Sequence, residues 1–166
     1  MNTVTRFRAL LAALFSLLLF CRPARSQQAS LKSLANQWAE ALNRHDTIRL
    51  ATLYADSSTL ESPNWEGVQK GHASLMQTYG RYFSSTPDLT HEIQEVIATD
   101  SMLIIEYRFY GTLSHPEKNT PEYMRGKKYS LKACTVMSLR NGKILHQRTY
   151  FDQVGFLRQT GFFDHL

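Results

Sequence analysis

The stretch that decides the fold is Tyr129–Phe163, YSLKACTVMSLRNGKILHQRTYFDQVGFLRQTGFF. Asn141-Gly142 lies between two long runs with strand character. A type I′ turn needs a positive φ at both central positions, and Asn-Gly meets this need best. The sequence therefore predicts a β-hairpin whose two strands flank this dipeptide.

The hairpin register follows from the turn. If Asn141-Gly142 forms it, Arg140 faces Lys143, and residues two apart share one side of the ribbon. The expected pairs on one face are Leu139–Ile144, Met137–His146, Thr135–Arg148, Ala133–Tyr150 and Leu131–Asp152. Imidazole, guanidinium, phenol and carboxylate groups among apolar neighbours are typical of a pocket wall. The opposite face is expected to carry Val136, Cys134, Leu145 and Phe151 among Lys132, Gln147 and Thr149.

The first 26 residues have the pattern of a secretory signal peptide. Basic residues precede an apolar core, and Ala24-Arg25-Ser26 predicts cleavage before Gln27. Cys21 leaves a lipoprotein reading open. The apolar run is short for a transmembrane helix, so we expect an exported protein without stable membrane insertion.

Removal of this segment changes the charge balance. The 19 basic residues of the whole chain fall to 15 against 14 acidic ones, a net charge of +1. Such a balance gives no indication of a nucleic-acid partner. Cys134 becomes the only cysteine, which excludes an intramolecular disulfide.

The remaining pattern predicts an α+β fold with a mostly antiparallel sheet and helices on one face. The expected order is helices Ser30–Asn43 and Thr47–Tyr54 (capped by Asp46), strand Thr59–Glu61, helix Gly71–Phe83, strands Thr90–Ala98 and Met102–Thr112, the hairpin, and helix Val154–Thr160.

Local motifs in the same order resemble the SnoaL-like branch of the nuclear-transport-factor-2-like superfamily. The matching segments are ALNRHDTIRLATLYAD, Gly71 at a helix start, PDLTHEI, and NGKILHQRTYFDQVGFLRQTG near the end. The resemblance covers residues 27–166 as one SnoaL-like domain. It implies a sheet wrapped around a conical pocket, and frequent homodimers formed through the outer face of the sheet.

The resemblance also implies site residues. In SnoaL-type polyketide cyclases an aspartate before the final helix acts as acid/base, and Asp152 holds the matching position. Tyr150, His146 or Arg148, on the same predicted face, would then stabilise the developing oxyanion. Asp152 has a structural alternative as the N-cap of the last helix. His146 and Arg148 could equally be ordinary paired side chains of the sheet.

Four further residues are candidates for substrate binding. Trp38, Tyr54 and Trp65 are expected to line or cap the pocket, although aromatic residues at helical spacing also suit a core. Arg108 occupies the strand in which the related limonene epoxide hydrolase has an Arg-x-Asp pair, but Tyr110 replaces the acid.

Two functions remain open at this level. The first is a cofactor-independent enzyme of the cyclase, isomerase or hydrolase type that acts on a small apolar carbonyl compound. The second is a non-catalytic small-ligand-binding or dimerisation module. The histidines show no metal-ligand spacing, so no metal is expected. The sequence also has no P-loop or dinucleotide-binding fingerprint, and no cofactor is expected.

Overall fold

The computed structural model describes residues 24–65, 67–118 and 120–165. Most of the predicted signal segment therefore lies outside the described residues. The helices are α1 (Ala24–Asn43), α2 (Thr47–Thr52), α3 (Gly71–Ser85) and α4 (Gln153–Gln159), with 3₁₀ turns at Glu122–Met124 and Phe162–His165. The strands are β1 (Tyr54–Glu61), β2 (Gln69–Lys70), β3 (Thr90–Ala98), β4 (Met102–Thr112), β5 (Lys128–Arg140) and β6 (Lys143–Phe151).

The six strands form one sheet in the order β2-β1-β6-β5-β4-β3. All neighbouring pairs are antiparallel except β1 and β6, which run parallel. The sheet is open, with β2 and β3 at its edges. The predicted α+β architecture with a mostly antiparallel sheet is confirmed.

The helices pack on one face of the sheet because each carries an apolar side. In α1 the spacing of Leu31, Leu34, Ala35, Trp38 and Leu42 predicts a buried face, and all five residues are buried. Asp46 caps α2 as expected, since its Oδ1 accepts a hydrogen bond from the backbone N–H of Arg49 at 2.8 Å.

The predicted turn between β5 and β6 is confirmed. Asn141 and Gly142 have φ angles of 52° and 74°, and Arg140 pairs with Lys143. The next pair, Leu139–Ile144, also matches the expected register.

The predicted register is wrong beyond that pair because β6 contains a β-bulge. Ser138 pairs with His146, which leaves Leu145 as an extra residue on one strand. An extra residue shifts all later residues to the opposite face of the sheet. The bulge allows both Ile144 and Gln147, three positions apart, to be buried on the inner face.

Strand β4 has an unambiguous inner face. Leu103, Ile105 and Tyr107 are buried beneath the helices, and Phe109 continues the row. Arg108, of the opposite parity, projects from the outer face, where its Nη1 donates to Ser130 Oγ at 3.3 Å. Within the described ranges, no helix combines the length and hydropathy needed to cross a bilayer.

Candidate functional site

The inner face of the sheet and the helices enclose a cavity of about 430 Å³. Its buried part is lined by aromatic and uncharged polar residues, among them Trp38, Tyr79, His91, Tyr107 and Gln147. Its rim is formed by residues of three loops and helices, including Asn64, Trp65, Arg81, Tyr82, Glu117 and Lys118. The two parts differ in their charge.

A chain of hydrogen bonds crosses the buried part. Trp38 Nε1–H donates to the Tyr54 hydroxyl at 3.0 Å, and that hydroxyl donates to Gln147 Oε1. The Gln147 amide nitrogen donates to the hydroxyls of Tyr79 and Thr149, both at 3.0 Å. The Gln147 side chain therefore uses its oxygen and both N–H groups within the wall.

The chain continues along the sheet through further hydroxyl groups. The oxygens of Thr149 and Thr135 lie 2.8 Å apart, and Thr135 lies 3.3 Å from the Tyr107 hydroxyl. Burial raises the pKa of Tyr54, Tyr79 and Tyr107 above the ordinary value. These phenols stay protonated at neutral pH, so the wall is polar but uncharged.

His91 lies at the start of β3 and lines the same cavity. The Asn43 side chain holds its backbone: His91 N–H donates to Asn43 Oδ1 at 2.7 Å, and Asn43 Nδ2 donates to the His91 carbonyl at 2.9 Å. These bonds tie the end of α1 to the edge strand. They fix the point from which the imidazole projects.

The His91 ring lies among aromatic rings. The ring centroids of Trp38, Tyr107 and Phe109 are 6.2, 5.8 and 6.2 Å from its own. The residue is 9% exposed, and its Nδ1 is buried without a hydrogen-bond partner. Burial, followed by the nearby His45, lowers the pKa of His91 to about 3, so the imidazole is neutral at physiological pH.

Charge occurs only at the rim among the residues that line the cavity in the described chain. Arg81, Glu117 and Lys118 are exposed, and Arg81 and Glu117 form an ion pair at 3.7 Å. Trp65 and Tyr82 stack beside them with ring centroids 6.1 Å apart. An incoming molecule would pass charged groups and then enter an uncharged interior.

The structure places the predicted substrate-binding residues at different distances from the cavity. Trp38 and Trp65 belong to its lining. Tyr54 is buried behind the lining and reaches it through Gln147. Arg108 was expected at the pocket, but it lies on the outer face. The residues of β4 that face the helices are the alternating ones, such as Ile105 and Tyr107.

The four residues predicted to be catalytic do not line the cavity. The bulge at Leu145 places His146, Arg148 and Tyr150 on the outer face, where all three are exposed. His146 Nδ1 lies 2.7 Å from Thr59 Oγ1 of the neighbouring strand. The expectation that these side chains share a pocket wall is therefore wrong.

Asp152 follows β6 and caps α4. Its Oδ1 accepts a hydrogen bond from Gly155 N–H at 2.8 Å, the arrangement of an N-cap, and its side chain is exposed. Gly155 suits this cap, because a Cβ there would lie 2.5 Å from Asp152 Oδ2. Asp152 is outside the cavity lining, and its role as a catalytic base stays a prediction.

Gln147, Thr149, Tyr79 and His91 are among the cavity residues that the sequence reasoning missed. Gln147 and Thr149 were assigned to the opposite face because no residue type marks the bulge. His91 had a usable signal: it shares strand parity with Ile93, which indicates a histidine on the apolar face. In the part of the chain that is described, no group of three or more His, Cys, Asp or Glu side chains could hold a metal ion.

Comparison with known families identifies the chain. The SnoaL-like domain family matches residues 35–147, well over half of the sequence. The protein therefore belongs to the SnoaL-like family, as its motifs and fold indicated. Among curated proteins, no sequence matches it.

Solved structures share the fold at low sequence identity. A candidate polyketide cyclase from Xanthomonas campestris pv. campestris is 17% identical, with a TM-score of 0.70 over 81% of this chain and 98% of its own. A candidate SnoaL-like polyketide cyclase from Jannaschia sp. is 12% identical, with a TM-score of 0.71 over 80% and 92%. A protein with a ketosteroid isomerase-like fold from Catenulispora acidiphila, solved with trimethylamine, is 18% identical, with a TM-score of 0.65 over 77% and 92%.

Proposed function

We propose that the protein binds a small, uncharged, largely apolar molecule in this cavity. One observation carries the proposal: the buried lining contains polar atoms but no charged side chain, and its histidine has a pKa of about 3. An ion that entered would lose its hydration without gaining an opposite charge, which is strongly unfavourable. A neutral molecule with one or two polar atoms loses far less.

The size of the cavity agrees with such a ligand. About 430 Å³ lies within the range of small-molecule sites and holds a compound of one to three rings. Trp38, Tyr107 and Phe109 offer flat apolar surfaces that favour ring compounds.

Intrinsic fluorescence gives a direct binding assay. The chain has two tryptophans, Trp38 and Trp65, and both line the cavity. Titration with 1-indanone, a neutral bicyclic ketone, should change the emission saturably. Titration with indane-1-carboxylate, an anion of similar size, should not. Equal binding of the anion would contradict an uncharged, ion-excluding interior.

A matched pair of variants locates the bound molecule. Thr149 and Arg148 are neighbours on β6 that face opposite sides of the sheet. Thr149→Phe fills the cavity and should weaken 1-indanone binding at least tenfold. Arg148→Phe adds the same ring to the outer face and should leave the affinity unchanged. Circular dichroism checks that both variants fold.

The second candidate is a cyclase or isomerase activity on a carbonyl compound. The relatives described as candidate polyketide cyclases favour it, together with the position of Asp152 before the last helix. Proton removal from a carbon beside a carbonyl would require the Asp152 carboxylate to reach the cavity. Turnover of a panel of enolisable ketones and esters that survives in Asp152→Asn would refute this role.

Two other properties are also proposals. Export depends on the predicted signal peptide, Met1–Ser26, and N-terminal sequencing of the mature protein should begin at Gln27. The protein is also proposed to form a homodimer through the outer face of the sheet, where Val136 and Cys134 are partly buried beside the exposed Tyr150.

A further inference from the structure

The ring nitrogens of His91 make no hydrogen bond to any other described residue. Nδ1 is fully buried without a partner. Buried polar groups in proteins are nearly always satisfied, so an imidazole without any partner beside a cavity indicates that a ligand bonds the ring nitrogen it can reach. His91 lines the cavity and Nδ1 is the enclosed nitrogen, so Nε2 is the ring nitrogen left for a ligand to reach.

We infer that His91 is the specificity-determining residue of the cavity and that its Nε2–H donates a hydrogen bond to the carbonyl oxygen of a cyclic ketone. The inference rests on the proposed function and deepens it, because it names the chemical group that the cavity selects. His91 acts here by binding and polarising the ligand oxygen.

The tautomer follows from the surroundings of the ring. A neutral imidazole carries one N–H and one lone pair. A buried N–H without a partner is rarer in proteins than an under-used acceptor. Placing the proton on Nε2 leaves only a lone pair at the enclosed Nδ1 and directs the N–H to the cavity. The imidazole is then a donor, and the ligand atom that suits it is an acceptor.

Several other donors of the buried wall are already engaged. Both N–H groups of Gln147 donate to Tyr79 and Thr149, the Tyr54 hydroxyl donates to Gln147, and Trp38 Nε1–H donates to Tyr54. One further unpartnered N–H, Trp65 Nε1, is found at the rim. A test of His91 must therefore separate it from Trp65.

The aromatic neighbours restrict the ligand further. The rings of Trp38, Tyr107 and Phe109 surround the imidazole within 6.2 Å, centroid to centroid. They leave no charged group near the bound oxygen that could support a carboxylate. The favoured class is thus a flat ring compound with an exocyclic or ring carbonyl.

The test compares 1-indanone with indane, which has the same rings without the oxygen. Dissociation constants are measured for the unaltered protein, His91→Leu, His91→Gln and Trp65→Phe. Loss of a neutral hydrogen bond weakens binding by about three- to tenfold. His91→Leu should lose that factor for 1-indanone but not for indane. His91→Gln, which keeps an N–H donor, should recover part of that factor. Trp65→Phe should change the two dissociation constants by the same factor and leave their ratio as in the unaltered protein.

A spectroscopic measurement needs no variant. In ¹⁵N-labelled protein the two His91 ring nitrogens should report a neutral imidazole with its proton on Nε2. 1-Indanone should shift the Nε2 resonance, and indane should leave it in place. A proton on Nδ1, or an Nε2 signal that 1-indanone does not move, overturns the inference.

The outcomes separate this inference from the proposed function. If both compounds bind and their affinity ratio is the same in the unaltered protein and in His91→Leu, the cavity binds ligands but His91 does not select the carbonyl. A ratio that changes only in Trp65→Phe also overturns the assignment. If neither compound binds, the ligand-binding proposal fails, and the inference fails with it.

Discussion

Acidification should destabilise this protein through His91 in particular. The residue is 9% exposed, and the pKa of its imidazole is lowered to about 3 by burial and by the nearby His45. In the unfolded chain the same group titrates near pH 6.5. Below that pH the unfolded state therefore binds a proton that the folded state does not accept, and stability falls with falling pH.

The magnitude follows from the two pKa values. At pH 7 the histidine is neutral in the folded state and about three-quarters neutral in the unfolded chain, so its contribution is small. At pH 4.5 the unfolded state is favoured by about 2.5 kcal/mol more than at pH 7, from the linkage relation with pKa values of about 6.5 and 3. The loss continues as the pH approaches the folded-state value and then levels off.

The assay is urea unfolding at a series of pH values for the unaltered protein and for His91→Leu. The contributions of the other ionisable groups are common to both proteins and largely cancel in the difference. Between pH 7 and 4.5 the unaltered protein should lose about 2 to 3 kcal/mol more than the variant. Parallel pH profiles for the two proteins would refute the assignment of a buried, neutral His91.

Three further measurements test other parts of the structure. Asp152→Ala should cost about 1 kcal/mol of stability through loss of the N-cap, whereas Asp152→Asn, also a good cap, should cost little; equal losses in thermal unfolding would argue against the cap. Gly111→Ala should destabilise by about 1 to 3 kcal/mol, since its Cβ would lie 2.4 Å from Thr86 Cγ2 and 3.3 Å from Leu89 Cα. Light scattering at micromolar concentration should give a dimer mass that Val136→Lys reduces to a monomer; a monomer for both proteins would exclude the proposed contact.

Local signals in the sequence predict much of the fold. The Asn141-Gly142 turn, the Asp46 cap and the buried face of α1 each depend on a few neighbouring residues, and all are found in the structure. Strand β1 is longer than expected, starting at Tyr54 where a helix end was predicted. Helix and strand patterns overlap there, and pairing with β6 decides between them.

The candidate site is less predictable because strand faces depend on tertiary pairing. The extra residue at Leu145 exchanges the environments of His146 and Gln147, yet nothing in the sequence around Leu145 marks a bulge. The inner face of β4 depends on tertiary pairing in the same way, and resemblance alone assigns Arg108 to the pocket. Asp152 could not be assigned from the sequence for a different reason. An aspartate directly before a helix can serve as its N-cap or as a catalytic base, and the hydrogen bond from Gly155 N–H favours the N-cap.

The bulge at Leu145 has an evolutionary consequence. A gain or loss of one codon near this position would exchange the two sides of the rest of β6 in a single event. Gln147 and Thr149 would leave the interior, and His146, Arg148 and Tyr150 would enter it. Point substitutions could reach the same exchange only through many intermediates. Length variation at one strand position is therefore a short route by which a SnoaL-like scaffold can acquire an ionisable interior, and relatives with and without the extra residue should differ in chemistry more than their overall similarity suggests.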